Sequence, residues 1–123
     1  MTTVKSFRDL EVWQAGMALA VTSFRVTRVF PPDERSGLVS QIRRAAASIP
    51  ANIAEGHARS PATYRHHVSI ALGSQAELET LIELACRIGY VRKEAFSAAL
   101  AETTRVGQML HALARALARS TVE

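Results

Sequence analysis

Four stretches of this 123-residue chain repeat apolar residues at alternating steps of three and four, and proline or glycine separates each from the next. That spacing is the period of an α-helix burying one face, whereas a half-buried strand would alternate every second residue. In the first stretch Leu10, Trp13, Met17, Ala20, Phe24 and Thr27 share a face, and Asp9 can cap the start. Phe30-Pro31-Pro32 ends it, because proline lacks an amide hydrogen and constrains the residue before it. A helix is therefore expected over residues 9–29. A second, over 34–56, carries Leu38, Ile42, Ala45, Ile49 and Ile53, with Gly56 as a C-terminal stop. Ser60-Pro61 reads as an N-cap followed by proline at the first helical position. It opens a third helix over 61–88, with Tyr64, Val68, Ala71, Gln75, Leu78, Ile82 and Ala85 inward and Gly89 at the end. The fourth, over 92–119, presents Phe96, Leu100, Thr103, Val106, Leu110, Leu113 and Leu117.

Helices of this length on short loops must fold back on their neighbours. The expected fold is all-α, a single antiparallel up-down-up-down four-helix bundle over residues 1–123. A chain of this size buries a sufficient core without disulfides or metals. The lone Cys86 cannot form an internal disulfide, and its place after Leu84-Ala85 suits a core or seam residue. A reactive thiol would need a nearby base, and none is evident in the sequence. The opening MTTVKSFRDLEVWQ has neither the apolar run nor the cleavage pattern of a signal peptide. No apolar run approaches the ~20 residues of a membrane span. A cytoplasmic protein with no membrane partner is the expectation.

Pro50 lies inside the second helical pattern and should kink it by removing one backbone bond and freeing the carbonyl of Ala46. Gln41, Ser48, Asn52 and Glu55 form a polar line beside the apolar stripe. If buried, these groups need partners. They suit a hydrogen-bonded network that fixes helix packing, with Asn52 or Ser48 satisfying loosened carbonyls, or else a polar ligand pocket.

The first and third helices carry more apolar surface than one seam uses. Val12, Leu19 and Val26 lie nearly opposite Leu10, Met17 and Phe24, since two positions along a helix is a rotation of about 200°. Ile70, Leu81, Leu84 and Ile88 similarly lie off the third helix's main seam. Either the buried face is unusually wide or these stripes meet another copy of the chain, because monomers seldom leave such stripes wet. The second reading assigns Val12, Leu19, Val26, Ile70, Leu81 and Ile88 to a homo-oligomer interface.

The formal net charge of +4 is unevenly placed: residues 35–67 carry five arginines against Glu55 alone. Arg43 and Arg44 follow core residue Ile42, so at least one should point outward. An up-down bundle brings Arg59 and Arg65 to the same end as Lys5, Arg8, Arg115 and Arg119, diluted by Asp9, Glu11 and Glu123. Arg43, Arg44, Arg59, Arg65, Arg115 and Arg119 are thus candidate phosphate contacts for RNA or DNA. No aromatic residues interleave them, so base-specific reading is not supported. An ordinary solvated surface, or arginines paired with acids across subunits, is the bland alternative.

Catalysis and cofactor binding are not expected. His66 and His67 are adjacent and point about 100° apart on a helix, so they do not readily share a metal. Neither a His-Glu-x-x-His motif nor a ferritin-like carboxylate–histidine pattern is present, and gly-rich phosphate loops are absent. His66, His67 and His111 read as surface histidines.

The run Ser40-Gln41-Ile42-Arg43-Arg44-Ala45-Ala46-Ala47-Ser48-Ile49-Pro50-Ala51-Asn52-Ile53-Ala54-Glu55-Gly56 closely resembles the hallmark of the bacterial four-helix-bundle family, the 23S rRNA intervening-sequence proteins. Phe7-Arg8-Asp9-Leu10-Glu11-Val12-Trp13-Gln14 agrees, as do Ile70-Ala71-Leu72-Gly73-Ser74 and Glu77-Leu78-Glu79. The resemblance spans residues 7–115. It implies an antiparallel bundle assembling as a ring-shaped homopentamer. It also implies kinship with the accessory variability determinant of diversity-generating retroelements, which binds nucleic acid and a reverse transcriptase through a basic surface. The chain departs from the family pattern at His57-Ala58-Arg59, where an aromatic residue commonly follows the glycine, and at Tyr64-Arg65-His66-His67. The expected function is a non-catalytic, oligomeric, nucleic-acid-binding accessory protein. The alternative is a scaffold that docks a partner protein without binding nucleic acid.

Overall fold

Proline, serine and glycine divide the chain into four long helices: α1 (Glu11–Thr27), α2 (Leu38–His57), α3 (Pro61–Arg87) and α4 (Lys93–Val122). A computed structural model describes residues 4–122, apart from the side chains of 121 and 122. Single 3-10 turns, Phe7–Asp9 and Pro32–Glu34, precede α1 and α2. No strand occurs among the described residues.

Each helix packs only on its two neighbours around the bundle, α1 on α2 and α4, and α3 on α2 and α4. Cross-helix contacts run in opposite numerical order: Gly16 of α1 lies by Ile49 and Pro50, while Thr27 reaches Arg43. Likewise His67 of α3 meets Asn52, and Ser74 meets Ser48. The result is an antiparallel up-down-up-down four-helix bundle.

The predicted seams of α2, α3 and α4 form the core. Ile42, Ala45, Ile49 and Ile53 meet Val68, Ala71, Leu78, Ile82 and Ala85, and Val106 and Leu110 close the far side. Cys86 packs half-buried against this cluster.

α1 is rotated by about one residue, roughly 100°, from the sequence expectation: Leu10, Trp13 and Ala20 still pack half-buried on the core and Thr27 is buried. Its buried line is Val12, Gly16, Leu19, Ser23 and Thr27, with Leu19 fully buried. Val12 and Leu19 therefore belong to the chain's own core and not to an interface with another copy, and Val26 packs half-buried beside them. Met17 and Phe24, expected inside, are about 40% exposed. The physical reason lies in Gly16 and Ser23. A helix that must lie close to the Pro50 region of α2 needs small residues at the contact, and apolar spacing weighs only the large ones. A Cβ on Gly16 would sit 3.4 Å from Ile49 Cγ2 and 3.7 Å from the Pro50 ring. Ser23 spends its hydroxyl internally, donating to the Leu19 carbonyl at 2.8 Å. Leu81 also lies half-buried against the core, whereas Ile70 and Ile88 stay exposed.

Several helix ends form as expected and two do not. Ser60 caps α3 and Pro61 follows it. Gly89 takes φ 95°, and the Gly89 and Tyr90 amides bond back to the Cys86 and Ala85 carbonyls, closing α3 in a Schellman turn. Asp9 does not cap α1. Its carboxylate accepts the Lys5 and Ser6 amides and closes a capping box around the preceding 3-10 turn. Gly56 does not stop α2 either, since the helix runs on to His57 without positive φ. It is buried where α2 crosses α3. α2 continues through Pro50, which is itself buried against α1.

A tyrosine pins the opposite end of the bundle. The Tyr90 hydroxyl donates to Glu34 at 3.0 Å, and its ring packs on Phe30. That hydrogen bond, then burial and the charges of Glu34 and Asp33, hold the Tyr90 pKa above its ordinary value. A raised pKa favours the neutral phenol in the folded chain. Its stabilising effect is complete below the unfolded value of 10.0 and fades as pH rises beyond it.

Candidate nucleic-acid interface

The register between helices decides which arginines share a surface. Gln75 of α3 donates to the Thr103 carbonyl at 3.1 Å and lies against Gly107, so these residues are level. Stepping equally along the two antiparallel helices brings Arg65 level with Arg115, and the start of α3 level with Arg119. Gly56 packs on Tyr64, which puts Arg59 at that same end. The 3-10 turn carrying Arg8 packs on α2 and the start of α1 there too. Arg59, Arg65, Arg115 and Arg119 are all exposed. Arg59 comes within 3.9 Å of Glu55, a solvent-exposed i,i+4 pair. Such pairs contribute roughly 0–1 kcal/mol and neutralise little of the field. Asp9 is occupied by amides, and Glu123 lies outside the described residues.

Arg43 and Arg44 do not join this end. They sit in the first part of α2, roughly 20 Å away along the helix at 1.5 Å per residue. Arg44 is exposed. Arg43 is a structural tether: Nε donates to Thr27 Oγ1 at 2.9 Å, Nη2 to the Phe24 carbonyl at 3.4 Å, and the guanidinium lies 4.7 Å from the Phe24 ring centre. It thereby satisfies carbonyl and hydroxyl groups at the C-terminal end of α1, where positive charge is favoured. Its guanidinium is committed to that end and is not a free phosphate contact.

The polar line of α2 divides in the same way. Ser48 and Asn52 form a network with two α3 residues that spacing did not single out, His67 and Ser74. Asn52 Nδ2 donates to the Ser48 carbonyl at 2.8 Å and to Ser48 Oγ at 3.0 Å. Its Oδ1 lies 3.0 Å from His67 Nδ1, and Ser74 Oγ donates to Ser48 Oγ at 2.9 Å. Asn52 thus takes the Ser48 carbonyl and not the Ala46 one that Pro50 frees. Gln41 and Glu55 are exposed and stand outside the network. His67 is half-buried, so only His66 and His111 are surface histidines. No group of three or more His, Cys, Asp or Glu residues could hold a metal among the described residues. No described helix is long and apolar enough to cross a membrane.

An apolar stripe does remain outside α1, made of Met17, Val21 and Phe24 in place of Val12, Leu19 and Val26. On α3 the outward residues are Ile70, Leu84 and Ile88, at 40%, 46% and 50% exposure. Because α1 and α3 do not touch, the two stripes lie on diagonally opposite helices.

No curated protein matches the chain. A crystal structure of a protein of unknown function from the S23 ribosomal protein family of Bacteroides thetaiotaomicron VPI-5482 is similar, with a TM-score of 0.77 at 25% identity. The match covers 84% of this chain and 97% of that one. The model of the 23S rRNA-intervening sequence protein family matches residues 8–112. With that match over most of the bundle, the chain belongs to the 23S rRNA-intervening sequence protein family.

Proposed function

We propose that the protein is a non-catalytic, self-associating helical bundle that binds the phosphate backbone of nucleic acid through its basic end. The observation that carries this reading is the convergence of Arg59 and Arg65 with Arg115 and Arg119, on three separate stretches of chain, at the end that also holds Arg8. Exposed guanidinium groups with few acids among them attract phosphates whatever the base sequence. The ribosomal family of the similar structure makes RNA the first partner to test.

Self-association is supported by the Met17, Val21 and Phe24 stripe and by Ile70, Leu84 and Ile88 on the opposite helix. Two unlike faces on opposite sides suit head-to-tail contact, which closes into a ring when the rotation allows. Five copies is the number that the family resemblance implies. Lysine at both Met17 and Val21 should yield a monomer in sedimentation or native mass measurements, with the circular dichroism spectrum unchanged. A wild-type chain that is monomeric at about 100 µM would sink this part, since stable interfaces correspond to micromolar affinity or better.

The binding test is a salt series with generic single-stranded RNA and DNA. If one protomer neutralises about four phosphates, log K should fall against log salt with a slope near −3. Glu at Arg59, Arg65, Arg115 and Arg119 together should weaken binding at least ~100-fold at low salt, taking about 1 kcal/mol or more per lost contact. Salt-insensitive binding, or none at low ionic strength, contradicts it. The exposed apolar stripes favour a second reading, a scaffold that docks a partner protein, and such docking would survive the four reversals.

A further inference from the structure

The connection between α1 and α2 folds over the C-terminal end of α1 and leaves a cavity of about 520 Å³. Three arginines, Arg28, Arg35 and Arg43, line it together with the apolar Phe30, Pro32 and Val39. No carboxylate lines it. The neighbouring Glu34 is turned away, accepting from Tyr90 at 3.0 Å and lying 3.4 Å from the Leu38 amide. Asp33 is not part of the wall.

Three guanidinium groups around one concavity, Arg28 and Arg35 exposed and Arg43 half-buried, give it a positive potential that an anion would relieve. The C-terminal carbonyls of α1 offset part of that potential, but only at Arg43, which bonds the Phe24 carbonyl and Thr27. The Arg28 and Arg35 side chains make no hydrogen bond or ion pair among the described residues. Val39 and Arg43 lie one turn apart on the same side of α2, and Arg35, in the turn before that helix, lines the same wall. Planar guanidinium forks match phosphate oxygens bidentately. The volume exceeds what a bare phosphate fills and lies within the range of small-molecule pockets. The apolar part of the wall then takes an uncharged body attached to the phosphate.

We propose that this cavity binds the phosphomonoester of a nucleotide, held by Arg28 and Arg35, with the tethered Arg43 adding its charge to the wall but no direct contact. The site stands at the opposite end of the bundle from Arg59 and Arg65, so it is independent of the backbone-binding end. Two sources share its chemistry, a free mononucleotide and the 5′-phosphate end of an RNA chain.

Calorimetric titration with adenosine 5′-monophosphate and with adenosine reads the phosphate requirement. The monophosphate should bind and the nucleoside should bind at least ~10-fold more weakly, since one charged contact alone is a factor of that order. Gln at both Arg28 and Arg35 should weaken the monophosphate at least ~10-fold with an unchanged circular dichroism spectrum, whereas Glu at Arg59 and Arg65 should leave it unaltered. A short RNA with a 5′-phosphate, compared with its 5′-hydroxyl form, separates the sources. A preference lost in the Arg28/Arg35 double variant assigns the site to chain ends, and equal affinity of the two RNAs assigns it to free nucleotides. Absence of heat with millimolar monophosphate, or undiminished affinity in the double variant, overturns the proposal.

Discussion

Alanine at Leu19 is expected to lower the unfolding free energy by about 3 kcal/mol, at every protein concentration. Leu19 is fully buried within the chain's own core. Truncation removes the transfer free energy of the lost methyl groups and leaves a cavity in the core, and such changes cost about 2–5 kcal/mol. Urea unfolding followed by circular dichroism measures it, with the midpoint shifting and the slope unchanged. The concentration series carries the information. A residue at a subunit interface would show its effect through dissociation, so dilution would change the apparent stability. A Leu19 variant that unfolds like the wild type but sediments as a smaller species would return Leu19 to the interface that its heptad spacing suggested.

Gly56 offers the second large effect. A Cβ there would lie 2.7 Å from Tyr64 Cδ1 and 2.8 Å from His67 Cβ. Neither neighbour can swing away: the Tyr64 ring is buried, and the His67 Cβ is fixed to the α3 backbone. Alanine at Gly56 must push α2 and α3 apart, at a cost of about 3 kcal/mol, while it gains about 1 kcal/mol of helix propensity. The expected net loss is about 2 kcal/mol, or roughly 8 °C in Tm at about 4 °C per kcal/mol. Gly73 is the internal control. It lies inside α3 with nothing within 4 Å of its would-be Cβ, so alanine there should stabilise by up to about 1 kcal/mol. If both substitutions stabilise alike, Gly56 is not a packing glycine. Tyr64 makes the crossing more sensitive still, because its buried hydroxyl finds no hydrogen-bond partner among the described residues and burial raises its pKa. Deprotonating it above pH 10.0 should weaken the same contact.

Both variants probe positions where apolar spacing and packing disagree. Periodicity weighs side chains by their hydrophobicity. It reads α2 and α3 correctly because their buried lines are also their largest apolar lines, whereas on α4 it finds Thr103, Val106 and Leu110 but passes over the buried Ala99 and Gly107. On α1 the buried line includes Gly16 and Ser23, which add little to any apolar count, while Met17 and Phe24 look more like core than they are. The pairing of Gly16 with the Pro50 region was the signal available, small residue opposite bulky ring, but it needs the α1–α2 register to be recognised. The same limit applies to charge. Nothing around Arg43 in sequence marks it as the partner of Thr27 and Phe24, which lie on the preceding helix. Nothing in sequence marks Arg28 and Arg35 as a pair, because they flank a turn in the chain and only folding sets them around one cavity.

Local chemistry, readable residue by residue, determined the helical class, the number and approximate spans of the helices, the Ser60 cap and the Gly89 turn. These follow from period, from missing amide hydrogens and from a backbone angle that glycine adopts freely, all of which act within a few residues. Tertiary structure alone decided which face of α1 is buried, which arginines are tethers and which stand exposed, and how His67 and Ser74 complete the Ser48 and Asn52 network. Those outcomes depend on the rotation and register of one helix against another. Close approach at small residues and hydrogen-bond satisfaction across helices set that register, and neither has a period along the chain.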